Sequence, residues 1–533
     1  MMTKRNISFY LIIISIVFAC IAIVVFPKWI VDDAFIVFRY ADNLVHYGQL
    51  NWNPGNDPVE GYTGIALPLL IAGAVKAGIP PIIMTHAIGV ISFIAGGIFL
   101  FLLLRLIKIS GLVTGLITLL YSTIPVLYTH IFSGLETMLF TSAIIIVMYY
   151  SLLLLHGKYR QKKYHIILNL LLVFLSLIRP EGVILGIMLI LFIALYMRGM
   201  DKKQLRNCCI YAFIFFILPF TAYFLWRWSY YGYLFPNTYY LKTGNGAFNF
   251  ASFSSLSELV EKYFGIPFII GLFLLLIDID KVWESIKKDE VKIISKEFLT
   301  ILLAVIIFSA ILILKYVNTD LLMNYSNRFY VPLIPAFLIV LAVFLDIGGR
   351  NLKKVSVESP MTYKVYIAGI CFLLIFQTGK IVNGFKHEYR EAAGLRTLIE
   401  NVHIQAGKYI HDHFNKDYTL LIHADAGAIP YYSGLKTIDF GGLNDEYLSH
   451  RSSLNKHEMV DYFFKVNADI LVITSFKSDK IERKAGSLNW ETLEMTINDP
   501  RFKQYSNIKT FSTPTWHNYQ MLFVRNDILN NSH

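Results

Sequence analysis

Cysteine is nearly missing from this chain. Its 533 residues include four, Cys20, Cys208, Cys209 and Cys371, each in or at the edge of an apolar run and none in the polar C-terminal tail. That excludes a disulfide framework and leaves the four as small packing residues. Charge is sparse as well, at 16% Asp, Glu, Lys and Arg. No internal repeat, low-complexity tract or heptad region occurs, and without paired halves a transporter or flippase is the weaker reading. The first apolar run, 7–26 behind Lys4 and Arg5, has no small-residue cleavage site after it, so it reads as an uncleaved signal-anchor.

Hydrophobic residues make up 55% of the chain, and its mean hydropathy is +0.53. Many apolar runs of about 18 residues mean a polytopic helical membrane protein, because backbone facing lipid must satisfy its own hydrogen bonds. The runs predict about eleven spans, near 7–26, 82–107, 111–129, 135–155, 166–178, 183–197, 207–226, 264–279, 298–315, 329–346 and 364–381. Much of the net charge of +11 lies in short loops between them, where it orients the protein and does not signal nucleic acid. Lys158, Arg160, Lys162 and Lys163 form one cluster, and Arg198, Lys202, Lys203 and Arg206 a second. Lys287, Lys288, Lys292 and Lys296 form a third, and Arg350, Lys353, Lys354 and Lys364 a fourth. All four share the side of the N-terminus, provided 64–78 does not cross. That segment is short and carries Pro68 and Lys76, so an interfacial or re-entrant helix suits it. The expectation is an inner-membrane module, 1–384, with a cytoplasmic N-terminus and a first external loop over 27–81. The tail, 385–533, then lies outside the cytoplasm. Helical character over 388–413, strand-like runs at 418–422, 436–440 and 469–474, and a helix near 455–466 predict an α/β domain there.

Carboxylates are costly near lipid, so Asp32-Asp33, just past the first span, marks a site. The stretch 32–47 predicts an amphipathic helix along the membrane surface. Asp32, Arg39, Asn43 and His46 fall on one face, and Ala34, Phe38, Ala41 and Val45 on the other. Helix neighbours point about 100° apart, so one aspartate is expected to cap while the other acts. Glu60, Glu136 and Arg179 also sit at predicted membrane edges, which suggests a polar cavity. Spans 166–178 and 183–197 look short and flank Arg179-Pro180-Glu181-Gly182; such a break lines a cavity. Arg179 and Glu181 read either as an ion pair or, for the arginine, as a planar fork on phosphate. Glu136 reads otherwise as a charge matched to a helix dipole. The loop YYGYLFPNTYYLK offers Asn237, Tyr239 and Lys242, with the lysine a phosphate candidate. Arg328 is another, or a snorkelling anchor. In the tail His423, Asp425 and Asn444 fall at strand ends, where open α/β sheets bind ligands. His411 and His413 do not share a helix face, so no metal is assigned to them.

The segments DDAFIVFRYADNLVHYGQLNWNPGNDPVEGYTG, SGLETMLF, LIRPEG, YYGYLFPNTYYLK and DAGAIPYYSGLKTIDFGGLND together resemble a family of bacterial glycosyltransferases of the GT-C fold. It is related to the terminal β-(1→2)-arabinofuranosyltransferases of mycobacterial cell walls. It is more distantly similar to protein O-mannosyltransferases and lipid A aminoarabinose transferases. The resemblance implies a catalytic base at Asp32 or Asp33, with Asp32 favoured. It implies that Glu60, beside Tyr62 in VEGYT, meets the donor or a divalent metal, with Asp32 the other metal candidate. Donor or acceptor contacts are expected among Arg39, Glu60, Tyr62, Glu136, Arg179, Glu181, Asn237, Lys242, Arg328, His423 and Asp425. The implied activity is transfer of a sugar from a polyprenyl-phosphate donor in the membrane to an envelope glycan, lipid or protein acceptor. An O-antigen polymerase or ligase shares the lipid donor. Those proteins load a late external loop, whereas this chain gathers its acids after the first span.

Overall fold

Prolines and one left-handed glycine decide where the helices of the bundle end. A computed structural model describes residues 4–199, 202–242, 249–276, 295–319, 321, 323–358, 360–450, 455–482, 490–514 and 516–531. Helix α1 (Lys4–Val25) is the first apolar run. Helix α2 (Asp32–Tyr47) stops at Gly48, whose φ of 67° lets its N–H turn back to the Asn43 and Leu44 carbonyls. Helix α3 (Ala66–Lys76) has 11 residues; at ~1.5 Å per residue it cannot cross a bilayer. Helix α4 (Pro81–Leu106) is a single long run. Helices α5 (Gly111–Thr123) and α6 (Pro125–Phe132) meet at a 52° bend, because Pro125 drives Ile124 to extended angles. Helix α7 (Thr137–Leu153) follows Glu136. The proline device recurs between α8 (Lys162–Ile178) and α9 (Glu181–Arg198), where Pro180 leaves Arg179 extended at φ −147° and ψ 142°.

Among the described residues, eight helical runs are long and apolar enough to cross a membrane, or nine with α5–α6 as one bent span. Helix α8, with 17 residues, and Gly265–Leu276, with 12, occupy two further expected spans. The chain is a multi-pass membrane protein. The run expected as a short 183–197 is a full helix of 18 residues, because Glu181 and Gly182 form its first turn. Lys287, Lys288 and Lys292 lie outside the described residues, as do the side chains of Lys353 and Lys354.

The helix Pro360–Leu398 leads into the tail without a break. The tail carries β1 (Thr419–His423), β2 (Lys436–Asp439), β3 (Ile470–Ser475), β4 (Tyr505–Thr513) and β5 (Trp516–Arg525) in the order β2-β1-β3-β5-β4. Strand β1 runs parallel to β2 and β3, whereas β5 runs antiparallel to β3 and β4. Leu421 and Ile473 pack with Phe440 and Phe463 on one face; Leu420, Ile422 and Val472 pack with Ile429 on the other. Burial on both faces explains the uninterrupted apolar runs of β1 and β3. The β4–β5 hairpin was not legible in the sequence, since β4 is a largely exposed edge strand with register shifts and no clean alternation.

Helix α2 forms where expected but does not lie wet on a membrane surface. Most of its polar side is buried too, because the tail packs on it: Asp32, Arg39 and Asn43 are enclosed, while His46 near the helix end stays exposed. Arg39 is the clamp. Its Nε donates to Trp52 O (2.9 Å), NH1 to Pro430 O (2.7 Å), and NH2 to Asn53 Oδ1 (3.0 Å) and Leu435 O (2.8 Å). The guanidinium also stacks 4.4 Å from the Trp52 ring. Arg39→Leu orphans these acceptors, with an expected cost of about 3 kcal/mol or more. A lower melting temperature and faster proteolytic release of the tail are the readouts; an unchanged melt refutes the clamp.

Candidate functional site

Because Pro180 forces Arg179 out of the helix, the arginine side chain crosses the end of the bundle. Its NH1 lies 3.3 Å from Glu136 Oε1 and its Nε 3.4 Å from Glu181 Oε2. Lys315, near the end of the helix Lys296–Val317, reaches Glu181 Oε1 at 3.1 Å, and the Tyr316 hydroxyl donates to the same oxygen at 3.0 Å. Arg328 closes the group, with NH2 3.5 Å from Glu136 Oε1 and NH1 3.8 Å from Asp33 Oδ2. The two arginines and two glutamates are buried, while Lys315 and Asp33 keep 43% and 28% of their side-chain surface. The wet pair is therefore the reachable one. Burial opposes ionisation of Glu136, but Arg328 and Arg179 beside it hold its pKa below the ordinary carboxylate value. A cavity of about 300 Å³ opens here, lined by Arg179, Glu181, Lys315 and Arg328 and walled by Phe235, Tyr239 and Phe329.

Arg328 is delivered by a strained turn. Ser326 (φ 45°) and Asn327 (φ 56°) both adopt left-handed angles, at about 1–3 kcal/mol each for a non-glycine residue. Glu388, buried on the helix Pro360–Leu398, holds the turn: its Oε2 accepts from Ser326 Oγ and Thr129 Oγ1, each at 2.6 Å. Among the described residues, Nε and NH1 of Arg328 find no hydrogen-bond partner. Unspent buried donors are costly, and here they face the cavity group.

The aspartate pair divides. Neither caps α2, whose N-cap is Val31 without a side-chain bond. Asp32 turns toward the tail, where Oδ2 accepts from Gly427 N (2.7 Å) and Oδ1 from Ala428 N and His403 Nδ1 (both 2.9 Å). A Cβ on Gly427 would stand 1.9 Å from Asp32 O, so only glycine permits this approach. Behind it, Asp425 lies 4.0 Å from His403 Nε2 and accepts from Thr474 Oγ1 and Gln520 Nε2, both at 2.9 Å. His423 is buried against Phe440. The tail residues His423 and Asp425 thus pack within the tail, Asp425 behind the His403 that meets Asp32, and do not line the cavity. Asp33 is the member aimed at Arg328.

Other expected residues build the walls. Arg227 donates from Nε to Glu60 Oε1 (3.0 Å) and from NH2 to Oε2 (2.5 Å). Burial pushes the Glu60 pKa up to about 6 despite that arginine. Tyr62 shares a hydroxyl contact with Tyr231 at 2.9 Å. Asn237 joins loop to tail, donating from Nδ2 to Leu443 O (3.1 Å) and meeting His450 Nε2 through Oδ1 (2.9 Å). Asn444 Nδ2 donates to Asp439 Oδ2 (3.0 Å). The Lys242 side chain lies outside the described residues. As placed, the residues do not fit a divalent ion between Asp32 and Glu60, whose oxygens are engaged by N–H donors. Among the described residues, no three His, Cys, Asp or Glu side chains gather to hold a metal. Positive charge at the cavity comes from Arg179, Lys315 and Arg328.

Sequence reasoning missed Lys315, Tyr316, Arg227, His403 and Glu388. Lys315 and Arg227 had a signal, each a lone cation near the C-terminal end of an apolar helix. His403 and Glu388 had none, since their partners lie far away in the chain.

A family model described as a domain of unknown function, DUF8728, matches residues 388–524, which is the tail. No curated protein matches the chain. Among solved structures, the chain is similar to ArnT from Cupriavidus metallidurans bound to undecaprenyl phosphate, with a TM-score of 0.53 at 11% identity over 98% of both chains. It is similar to the oligosaccharyltransferase AglB from Archaeoglobus fulgidus, in complex with an inhibitory peptide and a dolichol-phosphate, with a TM-score of 0.54 at 13% identity. That match covers 96% of this chain and 74% of the other. The chain has the GT-C fold. In this fold the cavity sits at the bundle end that carries the tail.

Proposed function

We propose that the chain is a glycosyltransferase that moves a sugar from a polyprenyl-phosphate donor to a cell-envelope acceptor outside the cytoplasm. One observation carries this reading. Arg328, which pairs with the partly exposed Asp33 at 3.8 Å, lines a cavity together with Arg179 and Lys315. The donor phosphate takes the arginine fork and the lysine charge. Asp33 takes the proton of the acceptor hydroxyl as the new bond to the sugar's anomeric carbon forms. The bond from that carbon to the phosphate oxygen breaks, and polyprenyl phosphate leaves into charge already arranged for it. Asp32 positions α2 through the tail. The solved structures of similar fold support the donor class, since they hold undecaprenyl phosphate and a dolichol-phosphate. The motif resemblance makes polyprenyl-phosphate arabinofuranose and aminoarabinose the first sugars to try. The basic loops on the N-terminal side support a tail and cavity outside the cytoplasm.

The test is transfer by the purified full chain from radiolabelled polyprenyl-phosphate sugars to envelope glycan, lipid and protein acceptors. Label that never leaves the lipid, across all donors and acceptors, overturns the reading. Glu388→Leu is expected to lower turnover by about 10²-fold by releasing the Ser326 turn and misplacing Arg328. An unaltered turnover number in a folded Glu388→Leu protein shows that the turn holds without it.

A further inference from the structure

A second cavity lies between α1 and the helix Pro360–Leu398, and it shares no lining residue with the first. Phe18 and Ala22, four residues apart on α1, stack along one face with Phe26 just past its end; Ile381, Phe385 and Tyr389 recur every four residues on the long helix. Phe18 meets Phe385 with centroids 5.4 Å apart and Phe26 meets Tyr389 at 6.2 Å, both edge-on. These ring pairs hold the helices apart, while the small Ala22 leaves the space between them open. The result is an apolar slot of about 470 Å³, extended by Ile21, Val25 and Val382. That volume falls in the range of about 300–1,000 Å³ typical of small-molecule sites.

The charge at the slot is of one sign. Lys386 and Arg390, one helical turn apart and both exposed, line it beside the last turn of α1, and among the described residues no acid does. Lys28 is not one of them: its ammonium lies 4.2 Å over the Phe132 ring and donates to the Val24 and Phe26 carbonyls at 3.2 and 2.9 Å. Long cationic side chains at the end of a membrane-spanning helix carry their charge to the headgroup level. Apolar walls below uncompensated cations match an acyl chain below an anionic headgroup.

We propose that this slot binds an anionic glycerophospholipid of the phosphatidylglycerol type. One acyl chain occupies the space over Ala22, and the phosphodiester sits between Lys386 and Arg390. The site does not depend on the transferase reading, and its test needs no activity. Native mass spectrometry of the full chain, titrated in detergent with phosphatidylglycerol, phosphatidylcholine or undecaprenyl phosphate, reads it directly. The expected result is retention of phosphatidylglycerol over phosphatidylcholine. Lys386→Gln with Arg390→Gln weakens phosphatidylglycerol about thirty-fold and leaves phosphatidylcholine unchanged. Ala22→Phe, which fills the slot but keeps both cations, weakens both lipids, so one variant remains informative if the other fails to fold. Equal retention of the two phospholipids by the unmodified protein overturns the proposal. So does undiminished phosphatidylglycerol binding by the glutamine pair, or its displacement by equimolar undecaprenyl phosphate.

Discussion

Asp33→Asn is expected to lower transfer by about 10²–10⁴-fold, the range for losing a positioned general base, with binding of the polyprenyl-phosphate donor little changed. The reason is its place: the carboxylate is 28% exposed and 3.8 Å from Arg328, where a hydroxyl arriving over the cavity meets it. Asp32→Asn is expected to behave differently. It replaces one carboxylate oxygen among three donors, Gly427 N, Ala428 N and His403 Nδ1, so the loss appears first as a weaker attachment of the tail. Single-turnover transfer and thermal melting on the two variants separate the roles. If Asp32→Asn kills chemistry in a fully stable protein while Asp33→Asn transfers normally, the assignment is reversed.

Arg179→Leu is expected to damage both fold and function. Removing one partner of a buried ion pair strands the other, at about 3–5 kcal/mol. Here Glu136 and Glu181 both lose a cation within 3.4 Å. Glu181 keeps Lys315 at 3.1 Å and Glu136 keeps Arg328 at 3.5 Å, so each glutamate is left with one of its two cations. The double variant Arg179→Leu with Glu136→Gln should therefore melt higher than Arg179→Leu alone. Its activity stays low, about 10²–10³-fold down, because a donor aimed at the leaving phosphate is gone. Melting curves that simply add across the pair would show that the two side chains do not interact.

Much of the bundle was legible because its rules are local. A proline acts on the residue before it, so the break at Arg179 follows from Pro180; the same device at Pro125 breaks the run expected as one span over 111–129. Apolar runs give spans, and the four-residue spacing in 32–47 gives α2 to the residue. Glu136, Arg179, Glu181 and Arg328, picked as charges at membrane edges, meet in one ion-pair network. Arg39 was equally conspicuous and is instead a clamp on carbonyls of the tail, because polarity in a sequence does not say which acceptor will meet it.

The sequence alone determined a membrane-embedded helical bundle with acids and arginines at its rim and an α/β tail, since hydropathy, proline sterics and helical period act within a few residues. Only the tertiary structure decided which aspartate pairs with Arg328 and which is tied down by the tail. The partner that settles it, His403, lies 371 residues from Asp32, and a contact across that separation exists only once the tail has packed on α2.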